Sequence, residues 1–377
     1  MKDMLKADHA AVLSHPMCLA KLSVLFRFLA RERGILPEAR PQIALAMGMA
    51  AATGPFASVE SLLFRRRIRR ESLQPPLFVL GHWRTGTTLV QYLLAQDPQF
   101  GGFDPVMAFA FRYYYLLGWL FRPLVSSQLS PTRPQDNMPF ALDLPLEEYM
   151  VFADLEPVSN YPVNYFPQSF ARYMDNAYWQ DLPEAEAARL MKLYDRMLKK
   201  CSLMNGHRRL MLKSPDNTCR VPALLKLYPG AQFIHICRDP YAVIRSTLHL
   251  YETTFSMWAL QTPPTRDELV DLILDNFVRM YESYFAAAKD LPASALCEIR
   301  FEELERDPIG TLEAAYRQLG LTNFEAASPG MERYLQSQKD YRKNSFDDPE
   351  GLREKVRTRL GFYFERYGYS AGEESGS

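Results

Sequence analysis

The segment that most constrains this chain runs from Leu77 to Ala95. Leu77-Phe78-Val79-Leu80 is followed by Gly81-His82-Trp83-Arg84-Thr85-Gly86, and Thr87 to Ala95 comes next. Pro75-Pro76 stops the helix before it, and four consecutive apolar residues read as a strand buried on both faces. The polar stretch bounded by two glycines reads as a loop. Leu89, Leu93 and Leu94 give the segment after it one apolar helical face. Strand, glycine-bounded loop and helix together frame a phosphate-binding turn, in which a helix N-terminus aims its amides at an anion.

The rest of the chain repeats the alternation. Leu210-Met211-Leu212, Phe233 to Cys237 and Ala295 to Phe301 read as further strands, separated by helical segments such as Arg220 to Tyr228. Strands alternating with helices imply an α/β fold, a P-loop-like central parallel sheet flanked by helices. Residues 1–74 are expected as a helical N-terminal extension packed on the core, and 75–369 as the main domain. Within the latter, residues from about 100 to 209, rich in Pro and Tyr, form an irregular, substrate-facing insertion; 370–377 is a flexible tail. In the extension, a helix over Ile43 to Ala52 is expected to end at Thr53-Gly54-Pro55. A second helix from Ser58 runs into Arg65-Arg66-Arg67-Ile68-Arg69-Arg70. That cluster suits a cationic helix end complementing the macrodipole, with peripheral contact to an anionic membrane surface as the alternative.

Charge narrows the function classes. Lys plus Arg and Asp plus Glu both number 44, so no basic excess points to nucleic acid. The five cysteines are scattered without CxxC or Cys/His spacing, so neither a disulfide framework nor a metal site is indicated. The N-terminus shows no signal-peptide pattern, and no stretch is expected to reach the roughly 18 uncharged apolar residues of a membrane span. Pro105 to Leu120 comes nearest, interrupted by Arg112. A cytoplasmic protein is the expectation; oligomeric state is left open.

Gly81 to Thr88 has the spacing G-x-x-x-x-G-[K]-[ST], but Thr87 stands where a nucleoside-triphosphatase carries lysine. A P-loop kinase or NTPase is therefore the rival reading, poorly served without that lysine. A non-catalytic nucleotide-binding scaffold is a second rival. The loop keeps its converging amides and the hydroxyls of Thr85, Thr87 and Thr88, while Arg84 carries the positive charge inside the loop.

Here the sequence resembles the sulfotransferases that use 3′-phosphoadenosine-5′-phosphosulfate (PAPS), most closely the broad bacterial-type branch. L-F-V-L-G-H-W-R-T-G-T-T-L is similar to their 5′-phosphosulfate loop, with Thr85 in place of the more usual serine. Phe233-Ile234-His235-Ile236-Cys237-Arg238-Asp239-Pro240, with Ser246 eight residues past Arg238, resembles their 3′-phosphate site. A guanidinium and a hydroxyl there suit a phosphate that ordinary adenylates lack. Lys213-Ser214-Pro215-Asp216 resembles a family segment between the two; Lys213 would touch the sulfate or 5′-phosphate, or serve a structural ion pair. Arg300 to Pro308 also resembles a family segment and is taken as structural.

The resemblance implies PAPS as co-substrate, no metal, and donor binding by Arg84, Thr85, Gly86, Thr87, Thr88, Arg238 and Ser246. It implies sulfuryl transfer to a hydroxyl or amine, with Arg84 and Lys213 neutralising the leaving group. Transfer also needs a base. None of the six histidines lies between Trp83 and Gly206, so a carboxylate is expected: Glu147 first, Glu148 next, with Asp104, Asp136 and Asp143 as further candidates. His82 is expected to be held by backbone bonds, His235 to sit in the sheet and His249 on a helix surface. Phe109, Phe111, Tyr113, Tyr114, Tyr115, Trp119 and Phe121 would line an apolar acceptor tunnel or form ordinary core. The expected acceptor is a hydrophobic small molecule or lipid.

Overall fold

The computed structural model describes residues 15–133, 135–339 and 351–370. Residues 1–14 of the expected extension and 371–377 of the expected tail lie outside them.

Five parallel strands form the centre: β1 (Leu77–Leu80), β2 (Phe100–Gly101), β3 (Arg209–Lys213), β4 (Gln232–Cys237) and β5 (Leu296–Arg300), in the order β2-β3-β1-β4-β5. All four residues of β1 are fully buried because strands flank it on both edges and helices cover both faces. Side-chain alternation divides the core. Leu77 and Val79 join Met211, Ile234 and Ile236 in one layer; Phe78 and Leu80 join Leu210, Leu212 and Phe233 in the other. The edge strand β5 alternates instead, with Cys297 and Ile299 buried and Glu298 exposed. Because the chain leaves β1 towards both edges, its C-terminal end is a switch point, where open α/β sheets gather ligands.

Helices α1 (Leu22–Arg31) and α2 (Arg40–Arg70) form the N-terminal layer, and α3 (Thr87–Leu94) follows the glycine loop. Residues 100–209, expected as irregular, carry α4 (Pro105–Ala110), α5 (Tyr114–Gln128), α6 (Glu148–Leu155), α7 (Phe170–Asp175) and α8 (Glu184–Met204). Then come α9 (Val221–Leu227), α10 (Pro240–Trp258), α11 (Arg266–Ala288), α12 (Phe301–Arg306) and α13 (Pro308–Leu319).

Three expectations need correcting. The helix break at Thr53-Gly54-Pro55 does not occur: α2 continues through Pro55 for 31 residues. Proline forfeits one backbone bond, but Ala46, Ala50, Glu60 and Ile68 anchor the helix on both sides of it. The strand β2 was not anticipated, since two residues are too few to show a period. The nearest thing to a membrane span is not Pro105 to Leu120. Among the described residues one helix, Pro37–Arg70, is long and apolar enough by length and composition to cross a membrane. Residues 41–59 carry no charge, which alanines, glycines and polar residues disguise as ordinary helix.

Candidate active site

The C-terminal ends of β1, β3 and β4 deliver the glycine loop, Lys213 and Arg238 to one cleft. The loop is folded tightly on itself. Thr85 Oγ1 donates to the His82 carbonyl at 2.8 Å, and Thr218 Oγ1 accepts from Gly81 N–H at 2.8 Å while donating to Gly81 O. Gly86, φ +101°, caps α3; a Cβ there would lie 2.3 Å from the Phe301 ring. Arg84 is left-handed at φ +70°, a conformation rare for a residue with a side chain and frequent at functional turns. Thr87, buried, and Thr88, half-buried, open α3, whose first amides have no partner within the helix.

The left-handed turn sends the Arg84 side chain across the cleft. Its Nε donates to Ser246 Oγ at 2.8 Å and a terminal nitrogen to Asp136 Oδ2 at 2.7 Å. Arg238 donates to the Arg84 carbonyl at 3.0 Å and stacks on Phe301, 4.2 Å from guanidinium carbon to ring centre. Burial lowers the Arg238 pKa from its ordinary value, and the adjacent Arg84 charge lowers it further. Two cations held this close favour an anion between them. The sequence placed Arg84 and Arg238 at opposite ends of a donor; the structure brings them, with Ser246, into one connected group.

A second group adjoins it. Lys213, buried at the end of β3, donates to Glu147 Oε1 at 2.6 Å and to Thr88 Oγ1 at 3.4 Å. Glu147 is held at the N-cap of α6 by its neighbours: Leu146 bridges to Phe103, and Tyr149 N–H donates to Ser214 Oγ. Its side chain keeps 26% exposure, whereas Glu148 turns inward, fully buried, taking bonds from Asn217 and Tyr194. Burial raises the Glu148 pKa, with those bonds opposing. Of the other carboxylates, Asp104 caps α4 through Met107 N–H and Asp143 is exposed. Asp136 is buried between Arg84 and Arg133. Burial alone would raise its pKa, but the two guanidiniums outweigh that and hold it below the usual range.

Arg133 was missed. It pairs with Asp136 and also reaches Thr88 Oγ1 at 3.4 Å, so Thr88 receives two cations. The sequence spacing Arg133-Pro-Gln-Asp136 was the available signal. Thr218 and Phe301, which shape the loop, had none. Three cations (Arg84, Arg133, Lys213) thus meet Asp136 and Glu147 in hydrogen-bonded pairs, while Glu305, Glu302 and Asp239 act on the fourth, Arg238. Among the described residues no three His, Cys, Asp or Glu side chains gather as a metal-ligand group.

Of the histidines, His82 lies in the loop, His235 in the sheet and His249 on α10. His82 is fully buried with Nδ1 on the Trp83 carbonyl, and burial pushes its pKa down to about 4. His235 stacks on Tyr284 inside the sheet, and His249 sits half-buried on α10. The aromatic run from Phe109 to Phe121 packs towards α2 and α8: Tyr115 stacks on Phe64, and Lys200 lies over Phe111. Nearer Glu147 is Tyr161, whose phenol burial raises in pKa, with the Glu147 charge adding to the effect.

Comparisons with known proteins bear on the family and the fold. Residues 75–326 match a family described as the sulfotransferase family. The chain is 34% identical over 314 residues to the omega-hydroxy-beta-dihydromenaquinone-9 sulfotransferase Stf3 of Mycobacterium bovis and of Mycobacterium tuberculosis. The match covers 82% of this chain and 79% of theirs. Two solved structures share the fold. Sulfotransferase STF9 from Mycobacterium avium has a TM-score of 0.68 at 17% identity, covering 92% of this chain and 90% of that one. Sulfotransferase STF1 from M. tuberculosis has a TM-score of 0.63 at 21% identity, covering 83% and 85%.

Proposed function

Because this chain belongs to the sulfotransferase family, we propose that it moves a sulfuryl group from PAPS to the hydroxyl of a lipid-like acceptor, with Glu147 as base. The observation that carries the reading is the continuity of the two groups: Ser246, Arg84 and Arg238 on one side, joined through Asp136 and Arg133 to Thr88, Lys213 and Glu147. A donor with phosphates at two positions needs cations at two places in one cleft, and these residues fit that requirement. Arg238 and Ser246 would hold the 3′-phosphate. The loop amides, Thr87 and Thr88 would hold the 5′-phosphate. Arg84 stands between them, able to serve either.

In the transfer, the acceptor oxygen bonds to sulfur while the bond from sulfur to the 5′-phosphate oxygen breaks. Glu147, exposed enough to meet an acceptor, takes the hydroxyl proton. Lys213 and Arg84 neutralise charge appearing on the departing phosphate, which leaves as adenosine 3′,5′-bisphosphate. A hydrophobic alcohol as acceptor is supported by the named substrate of the 34% identical relative and by Tyr161 beside Glu147.

The test starts with ligand-induced melting. Adenosine 3′,5′-bisphosphate at a hundredfold excess over its Kd should stabilise the protein by about 2.7 kcal/mol, whereas ATP with magnesium should add little. Arg238→Ala should abolish the difference. Equal or reversed shifts would point to a nucleoside-triphosphate enzyme instead. Labelled PAPS with a lipid extract should then put label into the organic phase.

A further inference from the structure

The exposed face of α2 is assigned to nothing in the reaction. Phe56, Val59, Leu62 and Leu63 stand out from it, Leu62 with 74% and Leu63 with 63% of its surface open. At 3.6 residues per turn these four share an arc of about 140° with Arg66, Arg69 and Arg70, one turn further along. The opposite face, with Glu60 and Ile68, is buried against the body. Beside it lies α5, tied on by the Phe64–Tyr115 stack at 4.3 Å and by Leu116 N–H on Glu60 at 3.0 Å. It adds Trp119, 73% exposed, together with Leu120 and Leu124. Exposed apolar groups clustered on two neighbouring helices exceed the scatter of an ordinary surface.

We propose that this face is a docking surface for an anionic lipid bilayer, on which α2 lies in the interface plane. Three observations choose that occupant. Arg65, Arg66, Arg67, Arg69 and Arg70 are all exposed, and the carboxylates bounding them, Glu60 and Glu71, are paired elsewhere, with Lys200 and His207. Leucine, phenylalanine and tryptophan rimmed by arginine is the composition of an interfacial helix. A cavity of about 770 Å³ opens along the same helix, its wall bringing Lys21, Arg65, Arg112, Arg196 and Lys200 together against one carboxylate, Glu60. That excess of positive charge suits phosphate headgroups. A second copy would offer those arginines no carboxylate from this face, since neither the open arc of α2 nor α5 carries one, which counts against a second copy as the occupant. Buried positions near both ends, Ile43, Ala46 and Ala50 with Glu60 and Ile68, keep α2 on the protein, so it lies on the membrane rather than through it.

The surface has a consequence for the reaction. Glu147 caps the N-terminus of α6, and Leu155, at the other end of that eight-residue helix, lines the cationic cavity. The base therefore stands about 12 Å, one short helix, from the cavity that opens along α2.

Sedimentation of the full chain with vesicles tests this without donor or acceptor, so its outcome is independent of the sulfuryl-transfer reading. The protein should pellet with phosphatidylcholine vesicles containing phosphatidylglycerol and much less with phosphatidylcholine alone, and high salt should release it. Leu62→Glu with Leu63→Glu should lower partitioning at least tenfold. Arg66→Glu, Arg69→Glu and Arg70→Glu together should lower it roughly a hundredfold, since each near-surface basic residue is worth about fivefold. Circular dichroism melts checks that both variants fold. A folded variant that pellets like the parent, or a parent that stays in solution with anionic vesicles, overturns the proposal. So does a parent that elutes as a dimer and becomes a monomer in the leucine variant, which would make the face a chain–chain interface.

Discussion

On the sheet side of the cleft Arg238 is fixed by a ring and a backbone carbonyl and Arg84 by Ser246 together with Asp136, whereas on the insertion side Asp136 and Glu147 are fixed by cations. Arg238 rests on a phenylalanine ring and a carbonyl, both uncharged. Asp136 has Arg84 and Arg133, and Glu147 has Lys213. Neutral partners hold a cation in place and leave its charge available to a ligand. A charged partner fixes a carboxylate in place but makes each side depend on the other. The sheet side is thus built to bind, and the insertion side to respond.

The sharpest way to separate the two sides is Glu147→Gln. It keeps shape and removes the acceptor of the proton, so kcat should fall by about 10²- to 10⁴-fold. Affinity for adenosine 3′,5′-bisphosphate, measured by calorimetry, should stay close to that of the parent. A comparable loss of affinity would erase the division; unchanged kcat would move the base to another group.

Asp136→Asn probes the dependence between sides. Removing one partner of a buried ion pair costs about 3–5 kcal/mol, because the guanidiniums lose their counter-charge. The melting temperature should drop, and the bisphosphate, itself an anion, should restore part of the loss and give a larger shift than in the parent. A variant that melts like the parent, with an ordinary ligand shift, would show that Asp136 neither holds nor competes for the arginines.

Acid should reach the sheet side through His82. His82, on the sheet side, is pushed down to about 4 by burial, as are His15 and His235. Each stays neutral in the fold and charges on unfolding, so its contribution is complete above 6.5 and is lost as pH falls towards 4. Asp136, held below the usual carboxylate range, remains ionised through that window. The His82 contribution should therefore decline from pH 6.5 to 4, and His82→Gln should lessen the slope of stability against pH there by up to about 1.4 kcal/mol per pH unit, one proton's worth. Chemical unfolding at several pH values measures it, and an identical slope in the variant would mean that His82 is already charged in the fold.

Much of the sheet side was legible in the chain as written. A run of four apolar residues, two glycines, an arginine ending the strand Phe233–Cys237 and a serine two turns later are local features, and local features survive into the fold because strand burial and helix starts are decided by neighbours a few residues apart. The insertion side was legible only in outline. Glu147 and Glu148 are adjacent in sequence, yet one faces the cleft and the other is buried under Tyr194. That choice belongs to the bridge between Leu146 and Phe103 and to the bond from Tyr149 to Ser214.

The alternation of strands and helices, the phosphate-loop frame and the identity of the charged residues were determined by the sequence itself, since they follow from period, glycine placement and residue chemistry. Tertiary structure decided which charges meet. It set Arg133 against Asp136 at the loop, carried α2 straight through Pro55 and left one side of that helix uncovered. Contacts between residues far apart in the chain depend on how elements pack, and no local pattern encodes that packing.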